Sequence, residues 1–218
     1  MHYIAPFIFS VILSLFFTLI TKKTALRYGK VAKPREDRWH VVPTALFGGV
    51  AIYLTFLIGT VIFVTPITKE FIGIMIGGTI LFITGAVDDL QSIKPYTKLI
   101  AQIAAAVVAI FFGIKMEIFT PLISIPITIL WIVAVTNAFN LLDNMDGLSA
   151  GIAFITAMIL SIVSVMHNRL ELVTISIIIA GTTLGFLRYN FNPASIFMGD
   201  CGSMFLGFTI GALSIAGA

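Results

Sequence analysis

The polar side chains best suited to chemistry in this sequence are asparagines and aspartates at the ends of long apolar segments. The densest group precedes Gly147 and places four of them at intervals of three residues: Asn137, Asn140, Asp143 and Asp146. If the stretch is helical, this spacing puts them along one face. Their oxygens are hard ligands that suit Mg²⁺ and nucleotide hydroxyls. The pattern therefore predicts a site for a divalent cation, a nucleotide, or both.

Two adjacent carboxylates, Asp88 and Asp89, end the third apolar segment. Adjacent carboxylates repel each other unless a cation or a basic group lies nearby, and Lys94 and Lys98 follow within ten residues. One interpretation is a charged helix end with cationic partners. The other is a carboxylate pair at a reaction centre, with a lysine on a substrate phosphate.

A further carboxylate, Asp200, stands between glycines in residues 199–202. Glycines allow a ligand to approach the backbone closely. A helix that begins at about Ser203 would also direct its N-terminus at a phosphate. An aspartate in a glycine-rich turn often only caps a helix, so the functional interpretation depends on Asp200 lying on the same membrane face as the other aspartates.

The longest polar stretch, residues 22–46, carries seven basic side chains together with Trp39 and Pro43. The simpler interpretation is a membrane anchor with an interfacial tryptophan. The alternative is a lid that brings Arg38 and His40 to phosphate, because the planar guanidinium of arginine gives phosphate two parallel hydrogen bonds.

Composition shows which elements must position these side chains. The 218 residues are 59% hydrophobic and 11% charged, whereas about a quarter of the residues in a soluble domain are charged. A membrane helix needs about 20 apolar residues. Eight segments qualify, at about 3–21, 47–65, 71–87, 99–114, 118–138, 149–166, 172–188 and 203–218. We therefore predict an all-α, polytopic integral membrane helical bundle with about eight transmembrane helices, forming a single domain over residues 1–218.

The distribution of charge predicts an orientation. One set of alternate loops holds ten of the thirteen basic residues and all six aspartates. Because cytoplasmic loops carry an excess of lysine and arginine, we predict that this set faces the cytoplasm from a plasma (inner) membrane and that the N-terminus lies outside. The basic loops would attract anionic membrane lipid and anionic substrates. Nucleic acid is not an expected partner, since the basic residues are dispersed over membrane loops.

Four motifs, in this order, resemble those of the polyprenyl-phosphate N-acetylhexosamine-1-phosphate transferases, also called glycosyl transferase family four. They are Pro34–His40 leading to Pro43 and Gly48–Gly49, Asp88–Asp89 with Lys98, Asn137–Gly147, and Phe197–Asp200. The resemblance covers about residues 30–210. It implies transfer of a sugar-1-phosphate, such as N-acetylglucosamine-1-phosphate, from a UDP-N-acetylhexosamine to undecaprenyl or another polyprenyl phosphate. UMP would be released, and the product would start a lipid-linked glycan.

The resemblance also implies roles for individual residues. The expected ligands of Mg²⁺, with Mn²⁺ as an alternative, are Asp200 and Asn140. The expected catalytic residues at the lipid phosphate are Asp88, Asp89 and Lys98. The expected substrate-binding residues are Asn137, Asp143, Asp146, Arg38 and His40. Asp88 could position the acceptor, remove a proton or form a covalent intermediate, and the sequence leaves these roles open.

One departure from the family and two rival interpretations accompany this prediction. Family members usually have around ten or eleven spanning segments and a later cytoplasmic loop rich in histidine and arginine, so we expect a truncated chain. The first rival is a non-catalytic remnant of the family. The second is an ion or proton transporter with carboxylates inside the membrane. A homodimer is compatible with such an enzyme, although no motif indicates one.

Overall fold

The computed structural model describes residues 3–32, 44–117 and 120–217, and most of them are helical. The helices are α1 (Ile4–Arg27), α2 (Gly48–Phe63), α3 (Lys69–Leu90), α4 (Pro95–Phe111), α5 (Pro121–Leu142), α6 (Leu148–Met166), α7 (Leu170–Asn190) and α8 (Gly199–Ala216). Among the described residues, six helices are long and apolar enough to cross a membrane, and α2 and α4 are shorter apolar helices. The predicted all-α, multi-pass membrane bundle is confirmed.

Close contact between helices depends on small residues. A Cβ added at Gly185 in α7 would lie 2.6 Å from the carbonyl oxygen of Val11 in α1. Beside this contact, the Ser14 hydroxyl donates to the carbonyl oxygen of Thr182 over 2.7 Å. Lipid tails are as apolar as the helices, so close packing and interhelical hydrogen bonds hold a membrane bundle together.

Helix α8 lies at the centre of the bundle, and its residues from Cys201 to Leu213 are all buried. On one side, a Cβ added at Gly78 in α3 would lie 3.0 Å from the Phe205 ring. On another side, a Cβ added at Gly207 would lie 2.7 Å from Thr136 in α5. This packing fixes the position of the helix that begins with the predicted Asp200 motif.

Two short strands connect the first polar stretch to the start of α8. Strand β1 (Val31–Ala32) pairs antiparallel with β2 (Thr44–Ala45), and the Phe197 amide donates to the Ala45 carbonyl oxygen over 2.8 Å. The Gly49 amide then donates to the carbonyl oxygen of Met198 over 2.7 Å. The base of the first polar stretch is therefore anchored on the segment that precedes Asp200.

The helices extend beyond the apolar segments at one membrane end. We call this the aspartate end; it comprises the C-termini of α1, α3, α5 and α7 and the N-termini of α2, α4, α6 and α8. Helix α3 continues to Leu90, α4 begins at Pro95, and α8 begins at Gly199 rather than at Ser203. The predicted bounds were too short because an apolar run ends at the first polar residues, whereas a helix continues while its amides find hydrogen-bond acceptors.

Candidate active site

A lysine and two carboxylates from three helices meet at the aspartate end. The Lys98 Nζ lies 2.6 Å from Asp88 Oδ2 and 2.5 Å from Asp200 Oδ2. The side chains remain partly open, with 25% of Lys98, 15% of Asp88 and 25% of Asp200 exposed. We call these three residues the Lys98 cluster. Its ammonium group reduces the repulsion between the two carboxylates, and its exposure leaves room for an incoming polar ligand.

Asp88 is held in place by its own loop. Its Oδ1 accepts a hydrogen bond from the Ile93 amide over 2.8 Å, in the turn between α3 and α4. A carboxylate at the C-terminus of a helix faces the negative end of the helix dipole, which is unfavourable. Lys98, near the start of α4, compensates the charge of Asp88. The turn between α3 and α4 brings these two side chains together.

Asp89 points in a different direction from Asp88, towards the first turn of α8. Its Oδ1 accepts from the Asp200 amide over 2.8 Å, and its Oδ2 accepts from the Cys201 amide over 3.1 Å. The preceding amide, that of Gly199, donates to Asp143 Oδ2 over 3.1 Å. The helix begins earlier than the predicted Ser203, and the amides of its first turn bind carboxylates of the protein.

Two glycines allow this close approach of α3 to α8. Gly199 has φ +76°, and a Cβ added there would lie 2.7 Å from Asp89 Oδ2. A Cβ added at Gly85 in α3 would collide with the backbone of Asp200 and Cys201. The expected close backbone approach therefore exists, and the approaching group is a carboxylate of the protein itself.

The two asparagines of α5 have different partners. Asn140 Nδ2 donates to the Ser203 hydroxyl in α8 over 3.0 Å, which leaves its carbonyl oxygen available to a ligand. Asn137 exchanges two hydrogen bonds, of 3.2 and 2.8 Å, with the buried Gln102 in α4. Gln102 was not among the predicted site residues, although its spacing of four residues from Lys98 places both on one face of α4.

Asp146 lies in the turn between α5 and α6, and it binds the loop that precedes α8. Its Oδ2 accepts from the Ala194 amide over 2.9 Å and from the Asn192 side chain over 3.4 Å. Asn190, also missed from the sequence, accepts from the Gly147 amide over 3.2 Å and donates to the Ile196 carbonyl oxygen over 2.9 Å. The sequence signal that could have identified Asn190 is its position at the end of a long apolar segment.

Comparison with known proteins identifies the family. The model of glycosyl transferase family 4 matches residues 71–218. The chain belongs to glycosyl transferase family 4. It is 33% identical to a probable undecaprenyl-phosphate N-acetylglucosaminyl 1-phosphate transferase of Bacillus subtilis (strain 168), covering 98% of this chain and 63% of the relative. It is also 33% identical to a decaprenyl-phosphate N-acetylglucosaminephosphotransferase of Mycolicibacterium smegmatis, covering 95% of this chain and 58% of the relative. The family resemblance inferred from the four motifs is confirmed.

Identity is higher over a shorter region. The chain is 51% identical over 86 residues to a phospho-N-acetylmuramoyl-pentapeptide-transferase of Moorella thermoacetica, covering 39% of this chain and 27% of the relative. Over their full length, the first two relatives are longer: this family 4 chain spans less than two thirds of each.

The structure gathers eight of the ten predicted site residues of this family 4 chain at the aspartate end. They are Asp88, Asp89, Lys98, Asn137, Asn140, Asp143, Asp146 and Asp200. The other two, Arg38 and His40, lie outside the described residues. The placement agrees with a common site, while the individual roles stay predictions.

The electrostatics of the aspartate end favour a cation. Removal from water raises the pKa of Asp143 well above its usual range, and the negative charges of Asp200, Asp89 and Asp146 raise it further. The hydrogen bond from the Gly199 amide acts in the opposite direction. A positive charge bound nearby would therefore stabilise the ionised form of Asp143.

The donor set fits Mg²⁺ with few protein ligands. Within the part of the chain that the structure describes, no three His, Cys, Asp or Glu side chains form a metal cage. Asp200 and the carbonyl oxygen of Asn140 nevertheless lie on adjoining helices, because Asn140 bonds Ser203, three residues after Asp200 in α8. Mg²⁺ commonly takes one or two side chains of the protein and completes its shell with water and substrate phosphates.

Proposed function

We propose that this protein transfers N-acetylglucosamine-1-phosphate from a UDP-sugar to a polyprenyl phosphate at the cytoplasmic face of the plasma membrane. The observation that carries the proposal is the Lys98 cluster, in which side chains of three helices converge at the membrane end that holds most of the basic residues described by the structure. The names of the relatives, which include undecaprenyl and decaprenyl phosphate, support a lipid phosphate as the acceptor.

The reaction would exchange one phosphorus–oxygen bond for another. A phosphate oxygen of the lipid attacks the β-phosphorus of the UDP-sugar, the bond from that phosphorus to the bridging oxygen breaks, and UMP leaves with the bond electrons. A phosphomonoester has a second pKa of about 6, so the attacking phosphate is largely dianionic at pH 7. The enzyme therefore has to bring two anions together more than it has to remove a proton.

Lys98 and Asp88 would position the acceptor. Among the residues that the structure describes, Lys98 is the basic side chain that contacts both carboxylates of the cluster. Its partly exposed ammonium group can also face an anionic phosphate. Both oxygens of Asp88 already have partners, Ile93 and Lys98. This arrangement favours a positioning role for Asp88 over a covalent one, because a nucleophilic carboxylate needs an oxygen directed at the substrate.

Asp200 and Asn140 would hold Mg²⁺. When bound there, the ion would supply positive charge to the pyrophosphate oxygens and to the leaving UMP. Ser203 orients the Asn140 amide, and the backbone contact with Asp89 fixes the residue that carries the Asp200 carboxylate. Mn²⁺ could take the same oxygen ligands.

Transport receives no comparable support. The carboxylates among the described residues stand at the helix ends or in the turns, with Glu70 and Glu171 in first turns at the end opposite to Asp88. A proton or ion path through the membrane would require ionisable groups near its middle.

A transfer assay tests the proposal. The purified protein in detergent is incubated with undecaprenyl phosphate, MgCl₂ and radiolabelled UDP-N-acetylglucosamine, and label is followed into the lipid phase. The 218-residue chain is assayed beside the longest reading frame that contains it. We expect Mg²⁺-dependent label in the lipid phase with release of UMP. Absence of transfer from this and other UDP-sugars by both forms would overturn the proposal.

A further inference from the structure

The first turn of α8 is capped by carboxylates from other helices. The first helical residues of any helix have amides without acceptors inside that helix, and the residue before α8, Met198, supplies no side-chain cap. Asp143 instead accepts from the Gly199 amide, and Asp89 accepts from the next two amides. The acidic pair of α3 and the acidic motif of α5 thus meet on one helix end.

This capping gives acceptors to amides that have none within α8. Hydrogen bonds from amides to an ionised carboxylate are shorter and stronger than those between neutral groups, and a negative charge at a helix N-terminus interacts favourably with the helix dipole. The amides of Asp200 and Cys201 lie against α3, where Gly85 has no room for a side chain. Without Asp89 these two partly buried amides would lose their carboxylate acceptor, which is costly.

Asp88 and Asp89 contact different partners because consecutive residues of a helix point about 100° apart. Asp88 directs its Oδ2 to Lys98, whereas Asp89 directs both oxygens into the backbone of α8. Asp200 is contacted from both sides, since Lys98 binds its side chain and Asp89 binds its amide.

We propose that Asp89 is a positioning residue that does not touch substrate: with Asp143 it clamps the N-terminus of α8 and so sets the Asp200 carboxylate against Lys98. The proposal rests on the proposed function for its catalytic consequence. It differs from the role that the family resemblance implies for Asp89, which is contact with the lipid phosphate. Both oxygens of Asp89 already bind amides, and the close contact with Gly199 leaves no space between them for a phosphate.

Cys201 provides a test that does not depend on activity. It is the single cysteine of the sequence, it is buried, and its amide is bound by Asp89. In Asp89→Ala, we expect a membrane-permeant maleimide to label Cys201 on the order of tenfold faster, because loss of a charge-assisted hydrogen bond favours local opening. Asp88→Ala is the matched control and should label at the wild-type rate, because Asp88 bonds no amide of α8.

The kinetic test uses Asp89→Asn, which keeps one acceptor oxygen and the volume of the side chain. We expect a lower kcat and a higher Mg²⁺ concentration for half-maximal activity, with the KM for polyprenyl phosphate within about twofold of wild type. A raised KM for polyprenyl phosphate with unchanged Mg²⁺ dependence would assign Asp89 to the substrate and overturn the clamp. Unchanged Cys201 labelling in both Asp89 variants would also overturn it. An inactive wild-type protein would count against the proposed function alone, since the labelling result needs no turnover.

Discussion

At the scale of single residues, Lys98 is the side chain on which the proposed chemistry depends most. It forms ion pairs with both Asp88 and Asp200, which lie on different helices. Removing its charge would leave two facing carboxylates without a counterion and would remove positive charge from the site where two anionic substrates must meet.

We therefore expect Lys98→Met to lower kcat/KM by about 10² or more, the magnitude typical for loss of one electrostatic stabiliser. Lys94→Met is the matched control, because Lys94 is exposed and lies 5.8 Å from the Tyr96 ring, away from the carboxylates. Its kcat/KM should stay within about twofold of wild type. The measurement is label transfer at several concentrations of both substrates. Similar losses in the two variants would show that general surface charge matters, not the Lys98 cluster.

The sequence predicted which residues gather at the aspartate end, but it could not predict what their oxygens contact. Asp89 lies 111 positions from the amide of Asp200 that it binds, and no local pattern reports such a contact. Adjacent aspartates look equivalent in a sequence. They differ in the structure because the helix turns one towards Lys98 and the other towards α8.

At the scale of elements, apolar runs predicted the eight helices, while the packing between them depends on positions that a hydropathy profile does not distinguish. Gly49 in α2 and Gly151 in α6 are both helical glycines. A Cβ added at Gly49 would collide with the backbone of Gly202, whereas nothing lies within 4 Å of one added at Gly151. Gly49, which ends the first family motif, therefore allows the close contact between α2 and α8.

The pair Gly49→Ala and Gly151→Ala tests this packing. Overpacking against α8 should make Gly49→Ala less stable by about 1–3 kcal/mol, and it should lower activity because the contact lies beside Asp200. Gly151→Ala should be neutral or more stable by up to about 1 kcal/mol, since alanine favours the helix over glycine. Thermal unfolding of the purified proteins in detergent measures both effects. Equal stability of the two variants would contradict the close contact between α2 and α8.

At the scale of the whole molecule, the two membrane ends differ in character. The end opposite to the aspartate end contains a cavity of about 570 Å³ lined by residues that include Glu70, Lys115, Trp131 and Arg169. Arg169 pairs there with Glu70 over 3.6 Å and with Glu171 over 3.5 Å. The cavity lies a helix length from the Lys98 cluster, because Glu70 and Asp88 stand at opposite ends of α3. Charged groups therefore meet at both membrane ends, and the aspartate end differs because eight of the ten predicted site residues gather there.

The predicted orientation follows from the unequal distribution of basic residues between the two membrane ends. It decides whether the proposed donor can reach the site. Because most of the basic residues described by the structure lie at the aspartate end, the positive-inside rule predicts that this end faces the cytoplasm, from which the proposed donor would reach the site. Cysteines can be introduced on each side, at the exposed Ser92 between α3 and α4 and at the exposed His167 between α6 and α7. Both variants carry Cys201→Ser, so that the introduced thiol is the only one in the sequence.

In intact cells, a membrane-impermeant maleimide should label His167→Cys and spare Ser92→Cys, and inverted membrane vesicles should give the reverse pattern. Labelling after the membrane is dissolved in detergent confirms that each thiol is reactive. The reverse result in intact cells would place the Lys98 cluster outside the cell. It would remove the cytoplasmic donor from the proposed reaction even if the clamp on α8 and the contacts of Lys98 were unchanged.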